Sequence, residues 1–188
     1  MITIKNKKDS VIKIKELGLN CFPMGVFDAK DLVSIKAFFD KNSAKEYVLR
    51  NLQKPKGKYF FVNSYEEAVK KLKYFDEVNV NVSFNSYKED LVLVGDIKIT
   101  KGSFSDTVDL TARSDSEANQ RNIYEEPEYN LHASLDDDKL WNIPGFARIA
   151  RYISDHELYD VIVEFCVYSI KLGVKNDFVI INELRTGF

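Results

Sequence analysis

VEFCVYSIKLGVKNDFVIINELR (163–185) decides how this chain is read. It contains two nearly apolar runs, VIVEFCVYSI (161–170) and DFVIINELRT (177–186), joined by KLGVKN, where Gly173 and Asn176 supply a turn. Runs this rich in Val, Ile and Phe read as two strands, the first beginning as far back as Glu157. Set into them are Glu164 on the first strand and Asn182, Glu183 and Arg185 on the second. An acid in an apolar strand is costly unless it is paired, metal-bound or at the rim. A carboxylate on each strand plus an amide oxygen makes a hard-oxygen cluster suited to Mg2+ shared with phosphates. The same residues also admit a plainer reading, a solvent-facing glutamate on each strand with Arg185 as an ion-pair partner. Side chains alternate across a strand, so only one of Asn182 and Glu183 is expected to face Glu164 fully.

Upstream, WNIPGFARIARYISDH (141–156) reads as helical after Pro144, a residue suited to a first helical turn. DLVLVGDIKIT (90–100) is a buried strand, apolar on both faces over LVLVG. Between them runs a long polar stretch, Lys101 to Asp138, read as short strands and an extended loop of the kind that carries function. The run Asp136-Asp137-Asp138 lacks the spacing and glycine of a calcium loop and reads as solvated. In the first half, residues 28–42 place Leu32, Ile35, Phe38 and Phe39 at helical spacing. EYVLR (46–50) and KYFFV (58–62) are strands flanking a loop marked by Pro55 and Gly57. Ser64 opens S-x-x-E, a capping box ahead of a helix, and EVNVNVSF (77–84) alternates as a strand. The N-terminus alternates Lys with apolar residues. This order predicts an α+β fold with largely antiparallel sheets.

Composition mostly excludes. Of 188 residues 45% are hydrophobic, ample for a packed core, and the length suits one compact unit with two lobes, about 1–84 and 85–188. Cys21 and Cys166 form no spaced pair, which excludes a disulfide scaffold and a Cys-rich zinc site. His132 and His156 stand far apart, so histidine-based metal sites and triads have little support. No run is apolar enough to span a membrane and the N-terminus lacks a signal-peptide core, so a cytoplasmic protein is expected. Neither a membrane nor nucleic acid is expected as a partner. The net charge of -2 conceals a split, +8 over residues 1–73 and -10 over 74–188.

The closing hairpin resembles the end of the ATP-grasp superfamily, a "vEff" strand, a turn and "vNEl-R", and is nearest in style to carboxyaminoimidazole ribonucleotide synthetases. Upstream the likeness is looser. LGLNCFPMGVFDAKDLVSIKAFF is similar to the family's opening "lGip-p" and helix, and EYVLRNLQKPKGKYFFVNSYEEAVKKL to its first nucleotide lobe. The resemblance implies a two-lobed ATP-grasp-like fold, without the separate N-terminal substrate domain of many ligases. It implies ATP and Mg2+ as cofactors, with ATP between the lobes and Glu164, Asn182 and Glu183 as metal ligands.

By the same comparison Arg50 takes the place of the strand lysine, and Lys56 and Lys58 close a phosphate loop reduced to KPKGK, one glycine among three lysines. Backbone amides grip phosphate in such loops, so lysine charge substitutes here. Ser83 and Asn85 fall at the adenine hinge and Glu89 is a candidate for ribose. Arg113 or Arg121 is implied on the γ-phosphate, with Arg185 a third candidate. The implied chemistry is ATP-dependent phosphoryl transfer, or carboxylate–amine ligation through an acyl-phosphate, on a small-molecule or peptide carboxylate. The alternative is a non-catalytic nucleotide-binding or protein-interaction module of phage or mobile-element origin, engaging a protein partner or a second copy of itself. Arg148 and Arg151, three apart on a helix face, are further candidates for reaching substrate.

Overall fold

Alternating apolar side chains in the strands and capped amphipathic stretches between them give two units, each an antiparallel sheet with helices. A computed structural model describes residues 3–52, 58–114, 127–172 and 177–186. The elements are α1 (Lys7–Glu16), β1 (Met24–Asp28), α2 (Leu32–Lys41), β2 (Tyr47–Arg50), β3 (Tyr59–Val62), α3 (Tyr65–Leu72) and β4 (Glu77–Val82). A 3-10 turn (Phe84–Asp90) leads to β5 (Leu91–Thr100), β6 (Thr107–Arg113), β7 (Tyr129–Ser134), α4 (Asp138–Trp141), α5 (Phe146–Asp155), β8 (Ile162–Leu172) and β9 (Asp177–Arg185). One unit comprises Asn6–Lys8 and Phe22–Ser86, and the other Met1–Lys5, Asp9–Cys21 and Tyr87–Phe188. No helix among the described residues is long and apolar enough to cross a membrane.

The first unit is a four-stranded sheet in the order β1-β4-β2-β3. Its helices begin where the sequence signals them. Asp31 caps α2 by accepting from Ser34 N at 3.0 Å, and Ser64 caps α3 by accepting from Glu67 N at 3.3 Å. Glu67 reaches back to Asn63 N at 2.8 Å, which completes the capping pair one residue earlier than the usual box. Val78, Val80 and Val82 of β4 are buried at period two, and Phe39 of α2 packs its ring 4.3 Å from that of Tyr47 on β2.

The second unit is a five-stranded sheet in the order β7-β6-β5-β8-β9. One face is wholly apolar: Leu93, Ile97, Leu110, Val163, Phe165 and Leu184 are buried, as are Phe146, Ile149 and Ile153 of α5. Burial of these side chains is the main stabilising term of the unit. Gly95 allows β5 and β6 to lie together, since a Cβ there would stand 2.1 Å from the Thr111 carbonyl oxygen. Two boundaries differ from expectation. α5 starts at Phe146, because Gly145 before it is left-handed at φ 84°, which separates it from α4 and leaves Pro144 outside both helices. β8 starts at Ile162, after Glu157 and Asp160 take positive φ and turn the chain.

α1 is not signalled by the sequence, since KKDSVIKIKE buries only Ser10, Val11 and Ile14 and shows no broad apolar stripe. Its use lies at the outer edge of β9. There Ile181 N donates to Asn20 O at 2.7 Å and Leu184 N to Ser10 Oγ at 2.8 Å, while the Thr186 hydroxyl bonds both backbone groups of Ile4. The N-terminal segment thus occupies donors that an open edge strand would leave unpaired.

Candidate functional site

The second face of the five-stranded sheet, its polar face, carries charged side chains beside a row of Val94, Cys166 and Ile180, and strand register determines what gathers on it. Asp96 of β5 is paired with Glu164 of β8, and Glu164 with Glu183 of β9, so three carboxylates form a row across adjacent strands. Directly opposed side chains have Cβ atoms about 5 Å apart. The pairing slips beside them: Phe165 opposes Ile181 but Glu164 opposes Glu183, which leaves Asn182 as an extra residue in a β-bulge. The Asn182 amide donates from Nδ2 to Cys166 Sγ at 3.2 Å, and Cys166 shares the Glu164 face two residues along β8. Both Asn182 and Glu183 therefore face the Glu164 side. Strict alternation allows only one of them, and the bulge is the physical reason for the difference.

Arg185 lies on the same face. Its Nη2 is 2.6 Å from Asp96 Oδ1, and both side chains are about one-third exposed. Burial works against the guanidinium charge, but Asp96 foremost, then Glu164 and Glu183, outweigh it and hold its pKa above the ordinary value. Cys166 is fully buried, which pushes its thiol up to about 12 despite opposing hydrogen bonds from Asn182 and Tyr168. It is a neutral thiol. Arg113, opposite Val94 of β5, shares the polar face, whereas Arg121 lies outside the described residues.

The other sequence candidates are dispersed. Arg50 ends β2, in the first unit. Lys58 holds its ammonium 4.9 Å from the Tyr74 ring centroid, and Lys54, Lys56 and Gly57 lie outside the described residues. Ser83 donates to Glu46 Oε1 at 2.6 Å and Asn85 to the same oxygen at 2.8 Å, so one carboxylate gathers both side chains of the expected hinge. Glu89 is exposed on the 3-10 turn. Arg148 donates to Tyr168 O at 2.6 Å and lies over the Phe178 ring, and Arg151 pairs with Asp155 at 3.7 Å, so both are engaged by their own unit. Asp137 of the acidic run is the cap of α4, accepting from Lys139 N at 2.9 Å.

Sequence reasoning missed Asp96 and the contact between Asn182 and Cys166. Asp96 is the first acid after LVLVG and carries the only available signal, a charge inside a strand expected to be buried. Cys166 is a buried free thiol, and its Asn182 partner becomes visible only through the bulge.

Among the described residues no group of three or more His, Cys, Asp or Glu side chains is arranged to hold a metal ion. The set on offer is two opposed carboxylates with an amide side chain turned to the same face. These donors fit Mg2+ when phosphate oxygens complete the shell, because that ion takes few protein ligands and keeps the rest from substrate or water.

No protein-family model matches the chain, and no curated protein sequence does. Solved structures match its shape. D-alanyl-alanine synthetase A from Vibrio cholerae O1 biovar eltor str. N16961 superposes with a TM-score of 0.54 at 10% identity, covering 96% of this chain and 54% of that one. D-alanine-D-alanine ligase from Helicobacter pylori gives 0.53 at 14% identity, covering 96% and 53%. N5-carboxyaminoimidazole synthetase from Staphylococcus aureus gives 0.53 at 12% identity, covering 97% and 44%. These are ATP-grasp enzymes, and the fold of this chain is ATP-grasp-like. The chain spans about half the length of the structures it matches.

Proposed function

We propose that the chain binds Mg2+·ATP on the polar face of the five-stranded sheet and transfers the γ-phosphoryl group to a carboxylate. The carboxylate oxygen attacks γ-phosphorus and ADP leaves. An amine then displaces phosphate from the acyl-phosphate to give an amide and a proton. The observation that carries this reading is the bulge that turns Asn182 and Glu183 together toward Glu164. When bound, Mg2+ supplies positive charge to the phosphate oxygens and orients them. Glu164, Asn182 and Glu183 are the residues to hold it. Arg113 is the described arginine candidate for charge developing on the transferred group, where fixed cations stabilise a transition state most. Arg185, engaged with Asp96, keeps the carboxylate row together instead of contacting phosphate.

Thermal melting with ATP alone, Mg2+ alone and both together tests the reading on wild type and on Glu183→Gln. A ligand bound only by the native state stabilises it by mass action, so both together at millimolar levels raise the melting temperature of wild type alone. No shift under any condition removes the proposal. A second reading, a nucleotide-binding module without turnover, is favoured by the single glycine of KPKGK. A thermal shift without ADP release, over a panel of carboxylates and amines, selects it.

A further inference from the structure

Asn182 is useful to a cation only if its carbonyl oxygen, not its NH2, is turned toward Glu164 and Glu183. An amide is nearly symmetric in shape, so something must choose between its two orientations. The side chain beside it on β8 is Cys166, fully buried, with a sulfur that accepts from Nδ2 at 3.2 Å. That bond takes the NH2 and leaves Oδ1 as the atom available to a ligand. Outside the bulge, backbone bonds hold the flanking residues: Ile181 N to Asn20 O at 2.7 Å and Leu184 N to Ser10 Oγ at 2.8 Å. The bulge is pinned on both flanks, and Cys166 holds the amide between them.

We propose that Cys166 is a positioning residue for the cation site, holding the Asn182 amide with Oδ1 toward the carboxylates. The inference rests on the Mg2+·ATP reading above. It assigns the thiol an acceptor's role, with no redox or nucleophilic part. Partners that orient metal ligands commonly contribute as much to affinity as a weak ligand does.

The test is a Mg2+ titration at fixed ATP, followed by calorimetry, on wild type, Cys166→Ala, Cys166→Val and Cys166→Ser, each in the Asn182 and the Asn182→Asp background. Valine fills the space without an acceptor, and serine restores one. With Asn182 present, alanine and valine raise the Mg2+ concentration for half-saturation about tenfold, and serine stays within about threefold. A carboxylate accepts through both oxygens and needs no orienting partner, so the Asn182→Asp background abolishes the difference between Cys166 and its replacements. Equal losses in both backgrounds would assign Cys166 to packing alone and overturn the proposal, as would no loss with Asn182 present. If wild type itself takes up no Mg2+·ATP, the functional reading fails first, and that result is distinct from either.

Discussion

Arg185 of β9 reaches past β8 to Asp96 of β5, with Nη2 2.6 Å from Oδ1. The guanidinium thereby spans the row in which Glu164 stands between Asp96 and Glu183. Arg185→Gln leaves three carboxylates across three strands without this cation. The expected cost is about 1–2 kcal/mol at low salt, above an exposed ion pair because the site is half-buried. Urea denaturation at two ionic strengths checks it. The deficit narrows at about 1 M salt, where the Debye length falls to about 3 Å. Arg185→Lys recovers only part, because an ammonium lacks the planar fork. An unchanged urea midpoint in Arg185→Gln would contradict this account.

Glu183→Gln separates stability from ligand response. Glu164 and Glu183 are like charges directly opposed, and the Arg185 guanidinium attracts both. Repulsion and attraction offset, so removing the Glu183 charge moves ligand-free stability by no more than about 1 kcal/mol. The same variant loses the Mg2+·ATP-dependent rise in melting temperature. A change in ligand-free stability well beyond that amount, or a retained ligand-dependent rise, would contradict this account.

Much of this site is written in local sequence. Glu164 and Glu183 stand out because acids are rare in such apolar strands, and the caps at Asp31 and Ser64 announce their helices. What cannot be read locally depends on register. Alternation predicts faces only while pairing is regular, so the bulge at Asn182 escapes it, and with it the contact to Cys166. Asp96 joins the row through pairing to a strand nearly 70 positions away, which no spacing rule reaches. α1 escapes a sequence reading because four of its ten residues are lysines and its buried side chains are few.

Gly95 is a steric requirement of the strand that carries Asp96. A Cβ at this position would meet Thr111 O at 2.1 Å, Ala112 Cα at 2.6 Å and Ala112 Cβ at 2.8 Å. Two of those three atoms belong to backbone, so no flexible side chain can move away. Gly95→Ala therefore pushes β5 from β6, at a cost of about 1–3 kcal/mol or more, the range for overpacked cores. Chemical denaturation measures it, and a variant within about 0.5 kcal/mol of wild type would refute the close approach.

Ser10 and Leu184 connect the N-terminal helix to the proposed site. The Ser10 hydroxyl is buried and accepts from Leu184 N at 2.8 Å, one residue beyond Glu183 on the outer edge of β9. Ser10→Ala keeps the size and helix propensity favourable but leaves a buried N–H without this acceptor. That costs about 1–3 kcal/mol, the penalty of an unsatisfied buried donor. The loss should be local first, because β9 is an edge strand and its neighbouring donor, Ile181 N, stays bonded to Asn20 O at 2.7 Å. Hydrogen exchange resolves the difference. The amide of Leu184 and its neighbours exchanges faster in Ser10→Ala, while the central strand β5 changes only as far as global stability falls. Uniform acceleration through β5, β8 and β9 would place Ser10 in the general packing of α1, and no acceleration at Leu184 would remove it from the edge altogether.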